Sequence, residues 1–380
     1  MKFFYSVSFL LITVQSLLSQ SDIPSDYYDS ANGLIGYPLK TQLKNIISNG
    51  HITRDYGQLY DGDGIAGSRG FIDTHSDLNI SGGANYDNDG TVLDFYSERP
   101  YAIDPYNYTH GNNQCGNQSS EGDCYNREHL VPQSAYDDVA DLPMKTDIHH
   151  VIPSDGRVNN FRGSYPFGIV AAANWTSLNN SKRGSSGMAG YSGIVFEPID
   201  EFKGDIARAL LYFATRYETT VFESNAFDNT NFAMFNGTSD QVFTDWAIEL
   251  LLEWHNTVDP VDERERERNE AAWDFQGNAN PFVSHPEFAT MIWDPEALST
   301  TNTIQQEIKL HPNPTKGESL FVEVQLPTVV ELFDLTGHSI LKTTVNQNHS
   351  SIDIRNLSSG IYILYMQNAQ AKSTRKLVRL

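Results

Sequence analysis

Cysteine is nearly absent. The 380 residues contain two, Cys115 and Cys124, which excludes a disulfide-dense scaffold and makes a poor zinc site. Basic residues are scarce as well, 26 Lys and Arg against 48 Asp and Glu, for a formal net charge of -22. A surface of that sign cannot hold a polyanion by general attraction, because phosphate neutralisation normally supplies much of such affinity. Residues 301–380 carry 8 basic and 6 acidic positions, so 18 and 42 precede them and the first 300 residues hold the acidity, at -24. Net charge governs solubility and long-range steering, whereas a groove needs only a local cluster or a divalent cation. Long apolar runs are missing beyond residue 19. Nothing later approaches the ~20 residues of a membrane helix, so the mature chain is expected not to insert stably in a membrane.

The first nineteen residues are different. Lys2, an apolar run over 3–18, and small Ser16 and Ser19 form a signal-peptide pattern with cleavage near Ser19 or Gln20. Export to oxidising surroundings makes a Cys115–Cys124 disulfide the expected state. The length suits two domains. The composition sets them at 20–295 and 309–380, joined by a Ser-, Thr-, Asn- and Gln-rich linker over 296–308.

Within the first domain, Leu39, Leu43, Ile46 and Ile47 space out as an amphipathic helix following Gly36 and Pro38. Residues 57–92 read as surface loop, and Asp61 and Asp63 there fall short of a full calcium-loop pattern. Short strands are expected at 92–96 and 129–131. A buried helix is expected over 204–218, apolar nearly all round, and another over 239–256 capped by Ser239 or Asp240. Alternating charges over 259–274 read as a solvated helix face. Beyond 308, β-like runs at 319–325, 329–333, 339–344, 351–354 and 361–366, separated by turn signals such as Thr336-Gly337, predict a small β-sandwich.

Reactive side chains concentrate in two places. The first is Asn126-Arg127-Glu128-His129-Leu130-Val131-Pro132; the second runs from Asp147 through His149, His150 and Asp155 to Asn159 and Asn160. Phosphodiester hydrolysis needs a base for water and a cation against charge on phosphorus. Neutral imidazole, with an unperturbed pKa of ~6.5, suits the first. A hard cation needs few protein oxygens, and Glu128 with Asn159 or Asn160 supplies them. Adjacent strand residues point to opposite faces. For Glu128 and His129 to serve one phosphate, the backbone must be irregular there or be approached edgewise.

At these motifs the chain resembles the endonuclease I family of exported bacterial nucleases, within the ββα-metal (His-Me finger) superfamily. The resemblance extends from about Tyr27 to Trp293 and includes Gln276-Gly277-Asn278-Ala279-Asn280-Pro281-Phe282. It implies an α+β fold, a ββα-metal finger embedded in a mainly helical nuclease domain. His129 is implied as the activator of water, Glu128 as a direct ligand of Mg2+, with Ca2+ or Mn2+ as substitutes, and Asn159 as second ligand, Asn160 being the fallback. The implied reaction is largely sequence-nonspecific cleavage of DNA, and in some members RNA, to 5′-phosphate and 3′-hydroxyl ends. Some members carry a phosphate-binding arginine between the motifs, but 134–146 contain none here, so Arg127, Arg157 and Arg162 compete for that role.

His149 and His150 are expected to make structural hydrogen bonds, and Asp147 to orient one of them or cap a helix. Tyr165, Phe167, Trp273 and Phe282 are candidates for stacking on bases, with core packing the stronger expectation for each. The tail resembles the C-terminal sorting domain of type IX secretion substrates, through Leu310-His311-Pro312-Asn313-Pro314-Thr315-Lys316-Gly317, Leu332-Phe333-Asp334-Leu335-Thr336-Gly337 and Leu357-Ser358-Ser359-Gly360-Ile361-Tyr362. That implies export across an outer membrane, the type IX machinery as partner, and a released or surface-attached monomer acting on nucleic acid.

Overall fold

The structure is a computed structural model, and it describes residues 23–62, 68–77, 88–116, 118–136, 143–223, 232–298, 309–324, 327–335, 338–346, 350–367 and 372–380. The expected signal peptide, Asp63, most of the linker and the Thr336-Gly337 turn lie outside the described residues. Two compact units divide the chain between Trp293 and Asp294.

In the first unit, helix α1 (Gly36–Ser48) buries Leu39, Leu43, Ile46 and Ile47, the stripe its spacing predicts. Strands β1 (Tyr125–His129) and β2 (Val151–Asp155) pair antiparallel, with Glu128 opposite Ile152 and His129 opposite Val151. Helix α2 (Gly156–Arg162) starts at the next residue because the Asp155 carboxylate caps it, accepting from the amides of Arg157 at 2.7 Å and Val158 at 2.8 Å. A Cβ at position 156 would lie 3.2 Å from the Asn126 amide nitrogen, so glycine there lets the ribbon and helix close together. A three-stranded sheet follows, in the order β3 (Val170–Thr176), β4 (Lys182–Ser186), β5 (Ile194–Glu197). Helix α3 (Lys203–Arg216) is buried along nearly its whole length, as its apolar sequence requires. Helices α4 (Asp245–Glu253) and α5 (Glu263–Gln276) pack beyond it.

Several local expectations change. Residues 92–96 do not form a strand: Asp94 accepts from the Tyr96 amide at 2.8 Å and the Ser97 hydroxyl at 2.9 Å, which folds the segment into a turn. The strand expected at 129–131 ends at His129 instead. Helix α4 begins six residues late, after Thr244, because Val242 stands at φ 65° and interrupts any earlier start. Helix α5 is not simply a solvated face. Glu265, Arg268 and Asn269 are buried, and Glu265 accepts from Arg208 of α3 at 2.7 Å.

Cys115 and Cys124 are bridged, with Cα atoms 5.7 Å apart. The Cys124 carbonyl accepts the Gly156 amide at 2.9 Å, and Cys115 donates to the Tyr125 carbonyl at 3.1 Å, so the bridge lies against the ends of both β1 and α2.

The second unit is all β. Strands β6 (Lys309–His311), β7 (Ser319–Glu323) and β10 (Ser351–Asp353) form one sheet; β8 (Thr328–Phe333), β9 (Ser339–Val345), β11 (Gly360–Gln367) and β12 (Lys372–Arg379) form the other. Leu320, Val322, Leu332, Leu364 and Leu377, drawn from both sheets, share one core.

Candidate active site

The antiparallel ribbon β1–β2 and helix α2 bring the two motifs together, and the period-2 alternation of β1 sorts their side chains onto two faces.

One face carries Asn126 and Glu128. The Asn159 Nδ2 of α2 donates to Asn126 Oδ1 at 2.8 Å, which turns the Asn159 amide toward this face. Glu128 is 3% exposed. Its Oε1 accepts the Tyr96 hydroxyl at 3.1 Å and pairs with Arg162 at 3.0 Å. Burial pushes the Glu128 carboxyl up to about 7, against the pull of Arg162 and Tyr96. The available donors here are a carboxylate oxygen and an amide oxygen, hard atoms of the kind Mg2+ takes. Among the described residues there is no cluster of three or more His, Cys, Asp or Glu side chains that could hold a metal.

The other face carries Arg127 and His129. His129 Nε2 lies 3.2 Å from the Lys145 carbonyl, so this nitrogen bears the proton and donates it. Nδ1 is then the unprotonated nitrogen, and the Gln133 amide nitrogen lies beside the ring, 3.2 Å from Nδ1 and 3.3 Å from Nε2. Burial, then the neighbouring His150, lowers the imidazole to about 3, so the ring is neutral across the physiological range. Tyr56 lies nearly parallel to the His129 ring, centroids 6.2 Å apart, and the Arg127 guanidinium stands 3.4 Å above the same tyrosine. Arg127 also donates to the Tyr56 carbonyl.

Residues 35–287 match the family described as Endonuclease I, and residues 309–379 the secretion system C-terminal sorting domain. The chain belongs to the endonuclease I family. It is 32% identical over 282 residues to an extracellular ribonuclease of Bacillus amyloliquefaciens, covering 74% of this chain and 82% of that protein. It is 33% identical over 272 residues to an extracellular ribonuclease of Bacillus subtilis (strain 168), covering 70% and 78%. The sorting domain marks this endonuclease I family member as secreted, to the medium or the cell surface. No helix among the described residues is long and apolar enough to cross a membrane.

The other sequence candidates fall in separate places. Arg162 is 1% exposed, and besides Glu128 it donates to the carbonyls of His129 at 3.1 Å and Leu130 at 2.5 Å. That corrects its candidacy for phosphate contact, because the guanidinium is spent on the protein interior. Asn160 is exposed and Arg157 half-buried, both on α2. His149 and His150 hydrogen-bond the carbonyls of Asn278 at 3.1 Å and Met144 at 2.7 Å. Asp147 accepts from the hydroxyls of Tyr212 at 2.9 Å and Tyr217 at 2.7 Å and from Gln276 at 2.8 Å, rather than orienting a histidine ring or capping a helix. Phe167 and Phe282 are fully buried, Trp273 packs edge-on against Tyr27, and Tyr165 remains 41% exposed.

Four contributors escaped the sequence reading. Asn126 carried a signal, standing inside the first motif. Tyr56, Tyr96 and the Lys145 carbonyl reach the site from distant positions, and a backbone oxygen has no sequence signature. A separate cavity of about 500 Å³, lined by Tyr28, Arg266, Asn269, Glu270 and His285 among others, shares no residue with this site.

Proposed function

We propose that the enzyme is a metal-dependent endonuclease that hydrolyses DNA and RNA with little sequence preference, leaving 5′-phosphate and 3′-hydroxyl ends. The observation that carries this reading is the hydrogen bond from His129 Nε2 to the Lys145 carbonyl. It fixes the tautomer, leaving Nδ1 to take a proton from water; the resulting hydroxide attacks phosphorus as the P–O3′ bond breaks, and solvent protonates the leaving oxygen. Glu128 and Asn159 are the residues we assign to a divalent cation, Mg2+ first and Ca2+ or Mn2+ as substitutes, with Asn160 set aside because it is exposed. When bound, that cation supplies the positive charge that phosphoryl transfer requires. A buried carboxylate left with one guanidinium and a pKa of about 7 suits such a partner.

The ladder is regular through positions 128 and 129, so the two side chains leave β1 on opposite faces. We therefore place the substrate phosphate across the end of the strand, where both faces are within reach. Arg127, on the His129 face and held by Tyr56, is the arginine we assign to that phosphate. Both Bacillus relatives are named extracellular ribonucleases, which supports including RNA in this reading.

Plasmid nicking and digestion of a matched RNA, each with and without chelator, test the reading. A folded His129→Ala protein should lose roughly two orders of magnitude or more in rate. Near-wild-type cleavage by that protein, with circular dichroism unchanged, would overturn the assignment. Glu128→Gln should shift the Mg2+ titration, and an unchanged titration would exclude ligation by this side chain.

A further inference from the structure

The outward side of α2 carries Arg157, Asn160 and Phe161 at helical spacing. Phe161 lies flat on Trp175 of β3, ring centroids 4.4 Å apart with 4° between the planes. The Arg157 guanidinium stands 4.5 Å over the Phe161 ring and that of Arg183, from β4, 5.0 Å over it. Arg183 is fixed by the Phe161 carbonyl at 3.1 Å and Asn174 Oδ1 at 3.2 Å, and it lies 5.7 Å from the centroid of the exposed Tyr165 ring. Neither arginine forms an ion pair among the described residues. The acid that feels Arg157, Glu121, is occupied by the Leu178 amide at 2.8 Å. Where 42 acidic residues face 18 basic ones, guanidiniums seated on rings rather than on carboxylates keep their charge available. The neighbouring Ala171, Ala172 and Ala173 of β3 are exposed and short, so a polymer backbone can approach closely.

We propose that Arg157, Arg183 and Tyr165 form a subsite for an unpaired strand of nucleic acid flanking the scissile position. The inference rests on the nuclease reading above and names the form of substrate. The two guanidiniums take successive phosphates, and the exposed tyrosine ring takes a base face. A single strand presents such faces and a duplex hides them. Asn159, one position before Asn160 on the same helix, ties the subsite to the candidate metal ligands.

Fluorescence anisotropy tests this with full-length protein, at low salt and with chelator so that no strand is cut. The probes are a labelled oligothymidylate and a labelled hairpin duplex. Wild-type protein should bind the single strand more tightly. Arg183→Ala and Tyr165→Ala should each weaken that binding about tenfold, Tyr165→Ala should leave the duplex unaffected, and Tyr165→Phe should bind as wild type. A failed catalytic assignment shows in cleavage by His129→Ala, and a failed subsite in the binding of Arg183→Ala and Tyr165→Ala. Equal affinity for both probes, a Tyr165→Ala loss shared by the duplex, unchanged binding by Arg183→Ala or Tyr165→Ala, or no binding of the single strand by wild type would each overturn the proposal.

Discussion

Arg127 and Arg162 lie at opposite ends of one range of behaviour for the same side chain. Arg162 is enclosed, its charge matched by Glu128 and its two terminal nitrogens donating to the carbonyls of His129 and Leu130. Replacing it by Met leaves Glu128 buried beside no cation and strips two carbonyls of their donor. Arg162→Met should therefore lower unfolding free energy by roughly 3 kcal/mol, read from urea denaturation. Arg127 instead rests on Tyr56 and Tyr60, 3.4 Å and 4.4 Å from the ring centroids, and forms no ion pair among the described residues. Arg127→Ala should keep the stability within about 1 kcal/mol while cleavage drops by roughly tenfold or more, the loss of a charged contact to phosphate. An Arg127→Ala protein that cleaves like wild type would remove this residue from the site. The sequence placed three arginines in competition, and burial, which no spacing rule reports, sets Arg162 apart from the other two.

Among the elements, the start of α2 concentrates the most bonds on one side chain. Asp155 accepts two helix amides, the Tyr108 hydroxyl at 2.6 Å and the Gly122 amide at 2.9 Å. Its own amide donates to Asp94 at 2.6 Å, and Asp94, pushed up to about 8 by burial and then by Asp155, lies fully buried. Asp155→Ala should cost about 2 kcal/mol, a cap loss enlarged by the orphaned tyrosine. Because Asn159 lies in the same short helix, Mg2+-dependent cleavage should fall with it. Asp155→Asn keeps a capping oxygen and should recover much of both; calorimetry and a Mg2+ titration on the two variants check this. The Asp at this position was readable as part of a motif. The rest of its bonds were not, because the donors Tyr108 and Gly122 reach the Asp155 carboxylate from elsewhere in the chain. Helices α1 and α3 were legible because each carries its own burial pattern. The turn at 92–96 was not, since an apolar run conceals the one aspartate that bends it, and the charges of α5 looked solvated because their partners Asp205 and Arg208 lie on another helix.

Across the whole molecule, buried neutral imidazoles are a repeated feature. His75, His149 and His255 are at most 5% exposed; burial lowers His149 and His255 to about 4 and His75 well below its usual value. In the unfolded chain each titrates near ~6.5. Above that pH neither state holds the extra proton, so the histidines do not bear on stability. As the pH falls from about 6.5 toward 4, the unfolded chain takes up protons that the folded chain refuses, and unfolding becomes progressively easier. Each such group contributes up to ~1.4 kcal/mol per pH unit inside that window. The raised carboxyls of Asp94 and Glu128 act in the opposite sense over the same range, so the histidine share is read as the difference in urea midpoint between wild type and a histidine variant from pH 7 down to pH 4, opening near pH 6.5. His149→Gln, which keeps a donor for the Asn278 carbonyl, should flatten the slope by about the share of one group. A His149→Gln protein whose midpoint follows wild type all the way down to pH 5 would mean that the His149 ring is protonated in the folded protein, against the burial that surrounds it.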